Sequence, residues 1–559
     1  MAVIESVRFN HNAPNEIRAK RYGENWPVVY IINNKKEAYI GETVNAAIRA
    51  GQHFRKKERK RLTKINLISD DNFNKSVILD LENFLINHMA ADGKFLLQNS
   101  NMGMHPHNYY QQEEYEKGFK DIWEQLRNRS LVSHSIYSIQ NSDVFKYSPY
   151  KALNLDQYRA VDLIIQTLVD QQNENRDFNQ GATILVDGGA GTGKTVLAVY
   201  LVKLLSEIGK GVPDLDFEMD PGYLHIAENI LKLNKMKIGF VVPMQSLRAT
   251  IKKVFKGVKN ISPSMVLSST QVPKDRYDLL IVDEAHRLRQ RKALSNYKTH
   301  DDNNKKLGLP QDGTELDWVL KCSKNQILFY DSMQSVKPSD IDQDVFSDLK
   351  KELGGNVLSL TSQFRCAGGN DYVQYVKDLM NNVSPSEMKQ FSGYDFRLFD
   401  DVEEMRQAIK EKDEKYGLCR VVAGYAWKWE SKNNNALYDI FIDGNCYKWN
   451  SVNKDWVNSP DSIDEIGCIH TIQGYDLNYA GVIFGNEIRY DPIKKEIYVD
   501  KKSYYDIQGK TALKDETALK EYITNIYKTL LTRGIKGTYV YVCDENLRSY
   551  LGRYIEGAQ

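Results

Sequence analysis

The sequence predicts an α/β protein of several domains: a small N-terminal α+β unit followed by two parallel-sheet units. Three observations predict this. The chain has 559 residues, too many for one hydrophobic core. Apolar, β-branched runs alternate with helical stretches, first ATILVDG, IGFVVPM, LLIVDEA and QILFYD, then VLSL, CRVVAGY, GVIFG and TYVYVCD. Such runs suit strands covered on both faces of a parallel sheet. Ahead of them, VVYII and EAYIG are two short alternating runs joined by NNKK, the pattern of a hairpin.

In chain order, the expected units are residues 1–110, a helical connector 111–150, and parallel-sheet units 151–345 and 346–559. In the connector Tyr115, Phe119, Ile122 and Leu126 recur at helical spacing, so one face packs on a neighbour. SPYKALNLDQ opens the first parallel-sheet unit. The polar stretch KTHDDNNKKLGLPQDGTE reads as a solvent loop. Seventy-five Lys+Arg balance 74 Asp+Glu, so any nucleic-acid surface must be local. The six cysteines show no CxxC spacing and suit reduced thiols. No signal architecture opens the chain and no apolar run approaches the ~20 residues of a membrane span. A cytoplasmic protein with no membrane partner is expected.

GGAGTGKT, residues 188–195, lies between an apolar run and the helical pattern VLAVYLV. Glycines there let backbone N–H groups close on phosphates at a helix N-terminus. Gly188, Gly191 and Gly193 would shape the loop, Lys194 would contact the β- and γ-phosphates, and Thr195 would ligate magnesium. A chance match in a chain this long has a probability of roughly 2%. LLIVDEAH, 279–286, supplies the complement: Asp283 would hold the ion through water, and Glu284 would orient and deprotonate the attacking water. ATP and Mg2+ are the cofactors this implies.

Further segments narrow the class. ILFYDSMQSV carries Asp331 and Gln334; LTSQFRC carries Gln363 and Arg365. IGCIHTIQGYDLNYAGVIFG carries Thr471, Gln473, Gly474 and Asp476, and NIYKTLLTRGIKG carries Arg533. In this order they resemble motifs III to VI of superfamily 1 helicases, and QFRC, HTIQGYD and LLTRGIKG resemble the Schlafen-like DNA/RNA helicase family over roughly residues 150–550. The resemblance implies two RecA-like domains with ATP between them. It makes Gln157 of LNLDQ an adenine reader, Arg365 and Arg533 arginine fingers, and Gln334 a link between nucleotide and nucleic-acid groove. Pro243, Gln245 and Ser246 resemble the strand-contacting motif Ia. Tyr425, Trp427 and Trp429 of GYAWKWESK offer stacking faces, or ordinary core aromatics on a half-buried strand, the reading preferred here.

VVYII and EAYIG, with Arg49 eight residues after Gly41, resemble the GIY-YIG nucleases, although Val28 stands where the family name has glycine. The resemblance implies a magnesium-dependent endonuclease. Tyr30 would help activate water and Tyr39 would position it; Arg49 would neutralise charge developing on the phosphoryl oxygens. Glu82 of SVILDLENFLINHM would hold the metal; Ile78, Leu85 and Met89 around it place it within an apolar helix face, where an unpaired carboxylate is costly. Asn99 falls at the family's asparagine, with Asn101 competing. His53, four residues after Arg49, is a candidate proton-transfer group. RKKERKR, 55–61, reads as a solvated run able to grip phosphates.

Two functions compete. One is an ATP-driven translocase or helicase coupled to an endonuclease, restriction-like or antiviral by analogy. The other is a nucleotide-gated nucleic-acid sensor whose N-terminal unit only binds. Nucleic acid, DNA in preference to RNA, is the expected partner; a homo-oligomer or a defence-system partner protein is left open.

Overall fold

The structure is a computed structural model. It describes residues 2–99, 109–174, 178, 181–189, 191–208, 221–294, 296–331, 339–363, 366–432, 434, 436–452, 456–472, 475–506, 510 and 515–558. Among the described residues it is an α/β protein with two six-stranded parallel sheets and a small mixed sheet at the N-terminus.

The N-terminal sheet contains β1 (Val3–Arg8), β2 (Val28–Asn33), β3 (Glu37–Thr43), β4 (Lys64–Ser69) and β5 (Leu96–Leu97), in the order β1-β4-β2-β3-β5. The β2–β3 turn is tied by Asn34, whose Oδ1 accepts from Lys36 N at 2.7 Å and Glu37 N at 2.8 Å. Every residue of β2 is buried, because both sheet faces are covered. Val29, Ile31, Ala38 and Ile40 face helix Lys75–Asp92. Val28, Tyr30, Ile32 and Tyr39 face the opposite way, toward helix Ala46–Arg55. The two-residue period of a strand thus gathers the tyrosines on one face.

The first parallel sheet contains β6 (Thr183–Gly188), β7 (Ile238–Val241), β8 (Val266–Leu267), β9 (Tyr277–Val282), β10 (Ser323–Tyr330) and β11 (Val357–Leu360), ordered β11-β6-β10-β9-β7-β8. One expectation changes here: VLSL, grouped by sequence with the second unit, pairs with β6 as an edge strand of the first. Local pattern marks a buried strand but not its partner, which long-range pairing decides. The expected solvent loop at 298–315 contains helix Tyr297–Leu307, with His300 and Asn304 buried and Asn304 accepting from Trp318 Nε1 at 2.5 Å. Its polar composition hid a helix whose buried face is itself polar.

The second parallel sheet holds β12 (Asp395–Phe399) and β13 (Arg420–Ala423). After a hairpin of β14 (Ile440–Ile442) and β15 (Asn445–Tyr447) it continues with β16 (Ile466–Cys468) and β17 (Leu477–Phe484). A second hairpin, β18 (Ile488–Asp491) and β19 (Glu496–Val499), precedes β20 (Gly534–Val542) and β21 (Glu556–Gly557). The order is β16-β13-β17-β20-β12-β21. Tyr425, Trp427 and Trp429 lie beyond the end of β13 and pack against its core, so they are core aromatics, though not on a strand.

Helix Gln112–Asn128 buries Phe119, Ile122, Trp123 and Leu126. Through it a single apolar cluster runs from Ile4 in the N-terminal sheet to Phe329 and Leu360 in the first parallel sheet. The connector also touches the second sheet: Asn141 Nδ2 donates to Tyr416 O at 3.1 Å, Asn478 Nδ2 to Asn141 Oδ1 at 3.1 Å, and Lys146 Nζ to Asp476 O at 3.1 Å. Among the described residues, no helix is long and apolar enough to cross a membrane.

Candidate active sites

The first site lies at the carboxyl ends of β6, β9 and β10, where a parallel sheet leaves a crevice. Gly191 and Gly193 take φ of 81° and 79°, left-handed values that suit glycine. Gly188 has a second constraint: a Cβ there would stand 2.6 Å from Thr192 Oγ1. Helix Lys194–Ser206 follows, with Leu197 to Leu205 buried. Lys194 is buried, and its Nζ donates to Gly188 O at 2.5 Å, Gly189 O at 2.9 Å and Asp331 Oδ2 at 3.0 Å.

Asp283 is fully buried, with the Thr195 side chain nearby, and its Oδ1 accepts from Glu284 N at 3.1 Å. Its Oδ2 has no hydrogen-bond partner among the described residues. Burial, with the neighbouring Glu284 carboxylate, pushes the Asp283 carboxyl up. Burial opposes charge on Glu284 too, but His286, Lys194 and Arg287 outweigh it and hold that carboxyl low. Glu284 sits at φ 52°, an uncommon left-handed conformation for a residue with a side chain. His286 Nε2 lies 2.8 Å from Glu284 Oε2, while its Nδ1 accepts from Asp331 N at 3.3 Å. The second contact leaves the ring proton on Nε2, the nitrogen beside the carboxylate but not aligned for a hydrogen bond to it. His286 was missed as a functional residue, although it is the last letter of DEAH. Arg287, also missed, pairs with Asp340 at 2.7 Å with both side chains buried.

Gln157 is hydrogen-bonded within the chain. Its Oε1 accepts from Asn154 N at 3.1 Å in a capping box, and its Nε2 donates to Thr192 O at 3.2 Å and Gly193 O at 3.4 Å. It braces the glycine loop. Its neighbour Asp156 had no assigned part, yet Asp156 Oδ2 accepts from the amides and hydroxyls of both Thr361 and Ser362, just ahead of Gln363. Arg533 is buried in the second parallel unit, with Nη1 donating to Tyr475 O at 3.4 Å. Gln334, Arg365, Gln473 and Gly474, as well as Asn101, lie outside the described residues.

The second site is on the tyrosine face of the N-terminal sheet. Tyr30 pairs in register with Gly41, and a Cβ at Gly41 would stand 2.3 Å from Tyr30 Oη. The glycine therefore makes room for the phenol. Tyr30 Oη lies 2.6 Å from His53 Nε2 and accepts from Arg49 Nε at 3.3 Å. Burial, and Tyr39 nearby, push the Tyr30 phenol far up, against the pull of Arg49; Glu82 adds to the rise. His53 is fully buried and its basicity is strongly lowered, first by burial and then by Arg59, Arg49 and Lys56.

Three expectations change at this site. Glu82 is half-buried at the margin of the apolar face, with Ile78, Leu81 and Leu85 taking the core positions. Asn99 donates to Ile40 O at 2.8 Å and accepts from Ile40 N at 3.1 Å, so it extends the pairing along β3 beyond β5. The basic run is not wholly solvated, since Arg59 within it is buried at 3% exposure. Among the described residues, no three His, Cys, Asp or Glu gather as a metal cluster.

The family model of the Schlafen group 3 DNA/RNA helicase domain matches residues 181–544, more than half the chain. The chain belongs to this family. The match spans the glycine loop, DEAH, Arg533 and every strand of both parallel sheets except β21. The uncharacterized protein YPL245W of Saccharomyces cerevisiae is 29% identical over 413 residues, covering 67% of this chain and 85% of that one. Among solved structures, one of two coordinating Pif1 helicases at forked double-stranded DNA is 12% identical, covering 70% of this chain and 92% of that one, at a TM-score of 0.26. A Bacteroides Pif1 helicase with ADP-AlF3 and single-stranded DNA is 12% identical, covering 67% and 91%, at 0.25.

Proposed function

We propose that this chain is an ATP-driven translocase or helicase on nucleic acid, DNA in preference to RNA, that carries a magnesium-dependent GIY-YIG endonuclease in its N-terminal unit. One observation carries the motor: the fully buried Asp283, near Thr195 and next to Glu284, with an Oδ2 that has no hydrogen-bond partner among the described residues. A buried carboxylate of this kind calls for a cation. Magnesium would neutralise phosphate charge there, with Thr195 and Asp283 to hold it. The backbone amides from Gly191 to Thr195 would cradle the phosphates and Lys194 would meet them. Glu284 would accept a proton from the attacking water, kept in place by His286. Arg533 would have to leave its seat against Tyr475 to reach a phosphate, a motion that suits a two-domain clamp.

The nuclease reading rests on Tyr30 seated over Gly41 with Arg49 at its oxygen. Glu82 would supply one carboxylate to magnesium; water and substrate phosphate would complete the shell, as that ion commonly allows. Arg49 would offset charge building on the phosphoryl oxygens. One observation favours the sensor reading: Asn99 is committed to the Ile40 backbone and so is not free for substrate. Nicking of labelled duplex and single strand in magnesium, with and without ATP, separates the two. ATP turnover without any cleavage would leave the motor and remove the nuclease.

A further inference from the structure

Arg59 is out of place for a member of a solvated basic run. Lys57, Glu58 and Lys60 around it are exposed, whereas Arg59 is 3% exposed. A tight turn after helix Ala46–Arg55 folds it inward: Arg59 N donates to Lys56 O and Leu62 N to Arg59 O. Its guanidinium carbon stands 3.3 Å above the centre of the Tyr39 ring, a cation–π contact, and its Nη1 donates to His53 Nδ1. His53 in turn meets Tyr30 Oη through Nε2 at 2.6 Å, and its ring packs against both tyrosines, with centroids 5.5 Å and 4.9 Å away.

The consequence follows from donor inventory. A guanidinium donates and cannot accept, so His53 Nδ1 must be the bare nitrogen and the ring proton must sit on Nε2. His53 is then a donor to Tyr30, and Arg49 Nε is a second donor to the same oxygen. The phenol's own hydrogen is excluded from both directions and points elsewhere. We propose that Arg59 is a positioning residue of the N-terminal site: it locks His53 as an Nε2–H donor and thereby turns the hydroxyl hydrogen of the buried Tyr30 away from both His53 and Arg49. His53 is not a proton acceptor for Tyr30, which replaces its expected part as a proton-transfer group. The stack of Arg59 on Tyr39 fixes the second tyrosine by the same side chain.

This inference rests on the nuclease reading for its consequence, but not for its geometry, and the experiment separates them. In the full chain labelled with 15N-histidine, His53 is assigned by its loss in His53→Gln. The expected result is a protonated Nε2 and a bare Nδ1 from pH 6 to 8. A proton on Nδ1, or on both nitrogens, overturns the proposal whether or not the chain cuts nucleic acid. Arg59→Met should release the ring into a mixture of tautomers and lower magnesium-dependent nicking of labelled duplex DNA by about 10- to 100-fold, the range for loss of a supporting contact. Arg59→Lys, which keeps a donor, should recover part of both. His53→Gln retains an amide donor toward Tyr30 and should cut far better than His53→Ala. Equal loss in those two chains, or wild-type nicking by Arg59→Met, also overturns it. A wild-type chain that does not cut sinks the nuclease reading alone.

Discussion

Individual side chains at the motor site divide by what they touch. Lys194→Ala should abolish ATP hydrolysis, because Lys194 is the buried cation of the glycine loop. Glu284→Gln should keep ATP binding and stop turnover, since the amide keeps the shape and cannot take a proton. ATP turnover and nucleotide binding measured on the same preparations test both, and wild-type turnover in either chain would reject the assignment. In the N-terminal unit Gly41→Ala is a sharper probe than loss of a functional group. Its Cβ would meet Tyr30 Oη at 2.3 Å, so the phenol must move while the strand pairing of β3 is kept. Nicking should fall as in Glu82→Ala and Arg49→Ala, with ATP turnover unchanged in all three. Retention of full nicking by Glu82→Ala would remove Glu82 from the site.

Elements are joined by contacts that the motifs do not announce. Asp156, at the start of helix Leu155–Asn173, takes four hydrogen bonds from Thr361 and Ser362 beyond β11. Those hydroxyls, Ser362 first, hold its carboxyl below the ordinary value of 3.8. The sign follows: a carboxylate stabilised in the folded state contributes fully above that ordinary value and is lost as pH falls through its lowered one. Asp156→Ala should therefore expose the amides of Thr361 and Ser362 to hydrogen exchange at neutral pH. In the wild type, protection corrected for intrinsic rate should persist at pH 5 and fade only below about pH 4. Unchanged protection in the alanine chain would mean that the segment is held by other contacts.

The whole molecule is more continuous than a string of domains. One apolar cluster joins the N-terminal sheet, the connector and the first parallel sheet, with Trp123 fully buried at the junction. Trp123→Ala should cost about 3–5 kcal/mol, the range for emptying a large aromatic site. It should lower the unfolding midpoints of the N-terminal unit and the first sheet together, as read by exchange or limited proteolysis. Loss confined to the N-terminal unit would show that the shared core does not couple them. Closure of the two parallel units sets the remaining expectation. Arg533→Ala should leave nucleotide affinity largely intact and depress turnover, since its charge matters most as the γ-phosphate departs. Collapse of affinity with turnover preserved would deny it a finger's part.

The sequence by itself determined the α/β class, the hairpin, the glycine loop and DEAH, because each depends on contacts between near neighbours: strand period, glycine at left-handed positions, a helix start after a strand. That Tyr30 and Tyr39 share a face was decided by the register of the hairpin, which pairs Tyr30 with Gly41 and Ile32 with Tyr39. Only the tertiary structure decided what depends on distant pairing. VLSL has the same local pattern in either sheet, and its hydrogen bonds to β6 chose the first. Gln157 and Asn99 read as functional from motif position, but backbone groups of the glycine loop and of Ile40 had already claimed their amides. Arg59 was indistinguishable from its charged neighbours until a turn carried it inward onto Tyr39 and His53. A side chain's partners across space, and the burial they impose, are set by the whole chain's packing, which no local spacing encodes.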